Sequence, residues 1–181
     1  MEEISDYLKL KKLRALSNLQ LHWILPSIFE RHFELYSESG LLGELRFEPG
    51  GTAYAALTIE KSATKRWTFK ETGGILKPRV TIRETGTNND LAFYWYKRWG
   101  GGWVEFVNGS KFYWKSTSFW GTGKGFYNGH KELLLELKQE FFALLRIRYL
   151  LKIEARCNDL VELPLLLVLA GYLCAVDSFA S

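Results

Sequence analysis

One segment near the C-terminus restricts the possible folds more than any other part of the chain. The fourteen residues Leu163–Val176 contain no charge, are apolar on every side of a helix, and are bounded by Glu162 and Asp177. Such a helix has to be surrounded by protein or by lipid. Fourteen residues are short for a bilayer, which needs about 20. The segment therefore predicts a buried core helix over about residues 160–176, and a membrane anchor is the weaker alternative.

Short runs of alternating apolar and polar residues dominate the chain before this segment. Phe33 and Leu35, for example, alternate with His32, Glu34 and Tyr36. Similar runs follow at Leu45–Phe47, Ala53–Ile59, Trp67–Phe69, Val80–Ile82, Leu91–Trp95, Val104–Phe106, Phe112–Trp114, Leu133–Leu137 and Leu145–Ile153. One apolar and one polar face per strand is typical of an antiparallel sheet with a single buried side.

Turn-forming residues separate these runs. They include Pro49-Gly50-Gly51, Gly73-Gly74, Gly100-Gly101-Gly102, Asn108-Gly109 and Asn128-Gly129. Glycine and Asn-Gly pairs supply the positive φ angles that tight hairpins require. Short strands at this spacing predict a meander that closes into a barrel or a sandwich. A sheet curled around its apolar face needs a filling, and the apolar helix is suited to that place.

Residues 1–25 form an N-terminal segment with a different pattern, and the barrel is expected to span residues 26–181. Leucines and other apolar residues recur at every third position between Ile4 and Leu19, which indicates an amphipathic helix. Its basic residues are Lys9, Lys11, Lys12 and Arg14. Such a helix can lie in a membrane interface with its cations against anionic lipid. The alternative is an element that packs its leucines on the barrel and leaves its lysines solvated.

Two further sets of residues are candidates for binding. Basic residues on the polar side of predicted strands would form a cradle for a phosphate group if they converge; ordinary solubility and strand-edge protection are the alternative. They are Arg79, Arg83, Lys97, Arg98, Arg146, Arg148 and Lys152, of which Arg146 and Arg148 are the leading candidates. Aromatic residues make up 15% of the chain and crowd around Trp99, Trp103 and Trp120. An exposed part of this stretch would bind a sugar, a peptide or another subunit. The alternative is cross-strand aromatic packing.

Composition argues against several other functions. The net charge of +4 is mild and shows no dense basic stripe, so a nucleic-acid partner is not expected. The stretch Gly121–Gly125 lacks the Ser or Thr of a phosphate-binding loop. The three histidines show no metal-ligand spacing, and neither Cys157 nor Cys174 stands in a nucleophile motif. We therefore expect no enzyme activity, no metal and no cofactor. For the two cysteines, free thiols in a reducing cytoplasm are the simpler interpretation, and a disulfide between them is the alternative.

The order of these elements resembles that of the tubby-like superfamily, which includes the tubby C-terminal domain, the phospholipid scramblases and the plant LURP-one-related proteins. The resemblance covers about residues 30–177 and rests on segments such as "AYAALTIEKSATKRWTFKETG", "LAFYWYKRWGGGWVEFVNGSKFYWKS" and "ELPLLLVLAGYLCAV". It implies a mainly β fold, in which a closed antiparallel β-barrel wraps around a buried hydrophobic C-terminal helix. No lipid motif of the tubby domain maps onto this sequence residue by residue.

The expected function is a non-catalytic binding module in the cytoplasm, peripheral to a membrane and without a transmembrane span. It would bind anionic lipid or phosphorylated headgroups weakly, through the basic residues named above. The alternative is a protein-interaction or scaffold module that uses an aromatic surface between Tyr94 and Trp120. Salt distinguishes the two alternatives, because screening weakens contacts between exposed charges.

Overall fold

The computed structural model describes residues 20–26, 31–60, 63–74, 78–98, 100–118, 122–142 and 146–180. These residues form a β-barrel and one long helix. The strands are β1 (Leu21–Leu25), β2 (His32–Ser37), β3 (Gly40–Glu48), β4 (Thr52–Glu60), β5 (Ala63–Thr72), β6 (Arg79–Glu84), β7 (Asp90–Tyr96), β8 (Gly102–Phe106), β9 (Lys111–Ser116), β10 (Gly123–Tyr127), β11 (Leu133–Phe142) and β12 (Arg146–Ile153). A short 3₁₀ turn at Ala155–Cys157 leads to helix α1 (Leu163–Ala180).

The twelve strands form a closed antiparallel barrel in which each strand pairs with its neighbours in the chain. Pairing of the first strand with the last closes the barrel, and its register places Leu21 opposite Leu151 and Leu25 opposite Ile147. Closure leaves no strand edge unpaired, which removes the template for aggregation that an open sheet presents. The predicted fold class, a mainly β barrel around a C-terminal helix, is confirmed.

Two predicted boundaries differ from those in the structure. Strand β1 belongs to the barrel, so the barrel begins at Leu21 and not at residue 26. The helix begins at Leu163 and continues past Asp177 to Ala180, whereas the sequence predicted about 160–176. The charge at Asp177 does not end the helix because its carboxylate lies at the open end of the barrel, where it pairs with Lys124.

Helix α1 fills the barrel and forms the centre of the core. The apolar and aromatic side chains from Leu163 to Ala175, other than Pro164, are at most 5% exposed. Pro164 is buried as well. The inward side chains of the strands surround it, including Trp23, Phe69 and Trp114. Fully burying a large aliphatic side chain contributes roughly 1.5–3 kcal/mol. Within the described residues, no helix has both the length and the apolar character needed to cross a membrane.

The two ends of α1 are held by different contacts. At the N-terminal end, Glu162 accepts hydrogen bonds from Asn108 Nδ2 at 2.9 Å and from Ser110 Oγ at 2.7 Å. At the C-terminal end, the ring of Phe179 packs edge-on against Phe33 and Phe47, with centroids 5.9 and 5.2 Å away. We call this second end, where β5 ends and β6 begins, the C-terminal mouth of the barrel.

Candidate functional site

A row of aromatic side chains crosses the outside of the barrel. Trp95 on β7 lies opposite Trp103 on β8, Trp103 lies opposite Tyr113 on β9, and Tyr113 lies opposite Tyr127 on β10. All four side chains are half-buried. The rings of Trp95 and Trp103 stack with centroids 6.3 Å apart and an interplanar angle of 17°. This set is called the aromatic row.

The row exists because β7 carries aromatic residues on both of its faces. Tyr94 points into the barrel and is 1% exposed, while the neighbouring Trp95 points outward, as the two-residue period of a strand requires. Strand β9 repeats this arrangement, with Trp114 buried inside and Tyr113 on the outer face. Pairing in register then aligns the outward rings across neighbouring strands.

Three cations lie over the rings of this row. The guanidinium of Arg79 is 5.2 Å from the centroid of Trp95, Lys111 Nζ is 5.2 Å from that of Trp103, and Lys115 Nζ is 5.3 Å from that of Tyr113. Arg79 also lies 5.0 Å from the ring of Phe93, and Lys115 lies 5.7 Å from that of Tyr127. Cation–π contacts of this kind contribute about 0.5–1 kcal/mol at exposed sites.

None of these three cations has a carboxylate partner among the described residues. Even Lys111, which lies opposite Glu105 in the strand register, makes no ion pair with it. The aromatic row and its cations together form a surface of seven side chains that we call the basic–aromatic face: Arg79, Trp95, Trp103, Lys111, Tyr113, Lys115 and Tyr127.

Lys138 on β11 and Lys152 on β12, by contrast, pair with neighbouring carboxylates. Lys138 pairs with Glu136 at 3.3 Å, and Lys152 pairs with Glu154 at 2.9 Å. The charges of these two lysines are therefore compensated, whereas the three cations of the basic–aromatic face make no ion pair among the described residues.

Arg148, one of the predicted anion-binding residues, is engaged in the same way. Its Nε lies 3.1 Å from a carboxylate oxygen of Glu140 and also donates to Nδ1 of His22 over 3.2 Å. Partial burial and then the nearby charge of Arg148 lower the pKa of His22, which favours the neutral imidazole, whose unprotonated nitrogen accepts the hydrogen bond from Arg148. Arg148 thus links β1, β11 and β12 on the outer wall.

Of the other predicted residues, the structure brings Arg79 and Trp103 into the basic–aromatic face, together with Trp95 and Tyr113 of the aromatic stretch. Trp103 lies at its centre, whereas Trp99, Trp120, Lys9, Lys11, Lys12 and Arg14 lie outside the described residues, and the Arg146 side chain is not among the described ones. Sequence reasoning missed Lys111, Lys115 and Tyr127 as members of a site. The available signal was the strand period, which places Lys111, Tyr113 and Lys115 on one side of β9.

Comparison with known proteins adds no family to this description. No family model, curated protein or solved structure matches the chain significantly. The resemblance to the tubby-like superfamily therefore stays a prediction, and the arguments below depend on the geometry of this chain alone.

The described residues present neither a cluster of metal ligands nor an exposed thiol. Within the described part of the chain, no group of three or more His, Cys, Asp or Glu side chains is positioned to hold a metal ion. Both cysteines are free and buried. Burial raises the pKa of Cys157 to about 11 and that of Cys174 to about 12. At neutral pH both are therefore protonated thiols, and the protonated form is a poor nucleophile.

Proposed function

We propose that this chain is a non-catalytic binding module whose basic–aromatic face docks on an anionic lipid surface. The observation that carries the proposal is the set of three cations, Arg79, Lys111 and Lys115, which lie over outward aromatic rings without a carboxylate partner among the described residues. Lys138 and Lys152 are paired with carboxylates, so they attract an anionic surface less than these three cations do.

The chemistry of the face suits a membrane interface. Each Lys or Arg held near an anionic leaflet contributes about 1 kcal/mol. Trp and Tyr favour the headgroup level, because their rings are apolar and their N–H or O–H groups remain in contact with polar groups. Three cations supply about 3 kcal/mol, so the face alone binds weakly, and a second set of cations would strengthen it. The basic residues between Lys9 and Arg14 are the proposed second set.

Flotation of the purified protein with vesicles tests this proposal. One set of vesicles contains phosphatidylcholine alone, and the other also contains phosphatidylglycerol, which is anionic and has no ammonium group. We expect binding only to the anionic vesicles, and we expect it to fall at high salt, because the Debye length shrinks from about 10 Å at 0.1 M to about 3 Å at 1 M. Binding to neither set would exclude the proposed function.

A pair of double variants locates the contact on the barrel. Changing Lys111 and Lys115 to Gln removes two unpaired cations and is expected to weaken binding roughly tenfold or more, since about 2 kcal/mol of attraction is lost. The matched control changes Lys138 and Lys152 to Gln, which removes the same charge from the side where both are already paired. Equal losses in the two variants would show that net charge, and not this face, causes binding.

Substituting Lys9, Lys11, Lys12 and Arg14 with Gln tests the N-terminal contribution separately.

A protein partner is the second candidate for the same face. The stacked and half-buried rings of Trp95 and Trp103 favour it, because aromatic side chains with large contact area dominate protein interfaces. This alternative predicts binding that survives high salt and is lost in Trp103→Ala. Salt-resistant self-association or partner binding, together with no flotation, would favour it over the lipid surface.

A further inference from the structure

The C-terminal mouth contains a cavity that adjoins the basic–aromatic face and shares Arg79 with it. It lies between the end of β5 and the start of β6 and has a volume of about 330 Å³, within the range of small-molecule sites. Six described residues line it: Glu71, Thr72, Gly74, Pro78, Arg79 and Tyr96. Two of these carry opposite charges, and neither charge is neutralised by an ion pair among the described residues.

Glu71 supplies the negative charge. Its position in β5 follows the inward alternation of Trp67 and Phe69, so its carboxylate lies at the rim of the barrel interior. The hydroxyls of Tyr96 and Tyr172 lie close to this carboxylate, and burial together with the nearby negative charge raises the pKa of both phenols well above the usual value. The Tyr96 hydroxyl is buried beside Glu71 and Tyr172, and its contacts with them fall short of normal hydrogen-bond geometry.

Arg79 supplies the positive charge on the other side of the cavity. Its Nε donates to Thr72 Oγ1 at 3.3 Å, and its guanidinium lies 5.2 Å from the ring centroid of Trp95. These contacts fix the position of the guanidinium, and its other N–H groups remain available to donate to a ligand. A planar guanidinium matches the oxygens of phosphate and carboxylate groups.

We propose that this cavity binds a small zwitterion that carries a primary ammonium group and a phosphate or carboxylate group. The ammonium group binds Glu71, and the anionic group binds Arg79 and the Thr72 hydroxyl. A ligand with only one charge would leave either Glu71 or Arg79 uncompensated at the rim. This inference does not depend on docking to an anionic surface, because a soluble zwitterion needs no membrane.

Two sources supply this chemistry, a free aminoalkyl phosphate and the headgroup of an aminophospholipid, and two assays separate them. Calorimetric titration with O-phosphoethanolamine tests the free molecule. Flotation with phosphatidylcholine vesicles that contain phosphatidylethanolamine tests the headgroup, and these vesicles carry no net charge. We expect saturable binding in at least one assay, with ethanolamine alone and inorganic phosphate alone binding more weakly than O-phosphoethanolamine.

Variants test the residues named above. Glu71→Gln is expected to weaken binding roughly tenfold or more, since hydrogen bonds to charged groups contribute about 1.5–3 kcal/mol. Its matched control is Glu105→Gln, an exposed carboxylate on the outer wall. Arg79→Gln is expected to weaken binding as well, and its control is Arg83→Gln, on the same strand but already paired with Asp90. Thr72→Ala, with a smaller expected loss, provides a milder test if Arg79→Gln destabilises the fold.

Three results would overturn the inference: no saturable binding in either assay, unchanged binding in Glu71→Gln, or equally tight binding of inorganic phosphate. Its failure is distinguishable from failure of the proposed function. Phosphatidylglycerol has no ammonium group, so it does not test the zwitterion site. If the protein binds O-phosphoethanolamine but not phosphatidylglycerol vesicles, the proposed lipid surface is excluded and the zwitterion site is retained. If it binds phosphatidylglycerol vesicles but no zwitterion, the zwitterion site is excluded and the lipid surface is retained.

Discussion

Gly171 allows α1 to approach the barrel wall where a larger residue would not fit. A Cβ atom at this position would lie 2.5 Å from Cε2 and 2.8 Å from Cζ2 of Trp23, well inside van der Waals contact. Trp23 is fully buried, so its ring has no free space into which it can move. The glycine therefore sets the distance between the helix and β1, the strand that closes the barrel.

Gly171→Ala is expected to lower the free energy of unfolding by about 1–2 kcal/mol. Overpacking a dense core costs about 1–3 kcal/mol, and the better helix propensity of Ala offsets up to about 1 kcal/mol of that cost. Urea denaturation measures the change. Gly129→Ala is the control, because no atom lies within 4 Å of its Cβ position. A Gly171→Ala protein as stable as the parent would contradict this close contact.

The buried thiols predict a loss of stability at alkaline pH. Burial raises the folded-state pKa of Cys157 to about 11 and that of Cys174 to about 12, from an unperturbed value of 9.0. Above pH 9 the unfolded chain releases protons that the folded chain retains, so the stabilisation present below pH 9 is lost as the pH rises through the folded pKa values. Each thiol contributes up to about 3 kcal/mol to this loss between pH 9 and pH 11.

Urea denaturation at about pH 8, 9 and 9.5 checks this expectation, because at the upper end of this range the unfolded thiols are largely ionised while the unfolded tyrosines, with a pKa of about 10, are still mostly protonated. A variant in which both cysteines are changed to Ala is expected to show a flatter dependence on pH, although the cavities lower its stability at every pH. An equally steep decline in this variant would assign the effect to other groups.

Single residues also show what the sequence could not reveal. The crowding of tryptophans drew attention to Trp103, and the strand period was sufficient to place Trp95 and Tyr94 on opposite faces. Lys111 did not stand out, because the ring that it contacts, Trp103, belongs to a different strand. A cation–π contact across strands depends on pairing register, and register is set by turn geometry and core packing, neither of which is visible in one strand.

At the scale of elements, α1 was predictable because its composition leaves few alternatives. A helix that is apolar on every side needs apolar surroundings on every side, and the period-two strands offered an apolar face long enough to surround it. Strand β1 was not predictable in the same way. Its five residues follow an apolar repeat of every third residue, which favours a helix, and only its pairing with β12 and β2 determines that it is a strand.

Leu167→Asp tests the place of α1 in the core. Leu167 is fully buried, so the variant removes apolar contacts and places an unpaired charge in the middle of the barrel. An uncompensated buried charge costs about 3–5 kcal/mol, and a Leu-sized cavity in a core costs about as much again, which together exceed the stability of many domains. We expect Leu167→Asp to be unfolded by circular dichroism.

The control for this variant is Val161→Asp, since Val161 is 75% exposed just before the helix begins. It introduces the same acidic side chain near the same element and is expected to leave the protein folded. A folded Leu167→Asp protein with higher solubility would show that α1 is not enclosed by the barrel.

At the scale of the whole molecule, closure of the barrel is the feature that the sequence left open. The alternating strands were compatible with either a barrel or a sandwich, because both bury one face of each strand. The difference depends on whether β1 reaches β12, and the contact between His22 and Arg148 joins residues 126 positions apart. A single sequence contains no local signal for a contact at that separation.

Barrel and helix share one core, and this predicts that they unfold together. Trp23, Trp67 and Trp114 are buried in the interior that α1 fills, so their fluorescence reports packing between wall and helix. If α1 dissociated from the barrel while the strands stayed paired, the inward faces of the strands would enclose an apolar cavity. Such a cavity costs roughly 24 cal/mol per Å³, so this intermediate is unfavourable. We therefore expect fluorescence and far-ultraviolet circular dichroism to report the same transition midpoint in urea, with one cooperative step. An earlier fluorescence transition with strand signal retained would show that the barrel is stable without its helix, and would make α1 a separable element.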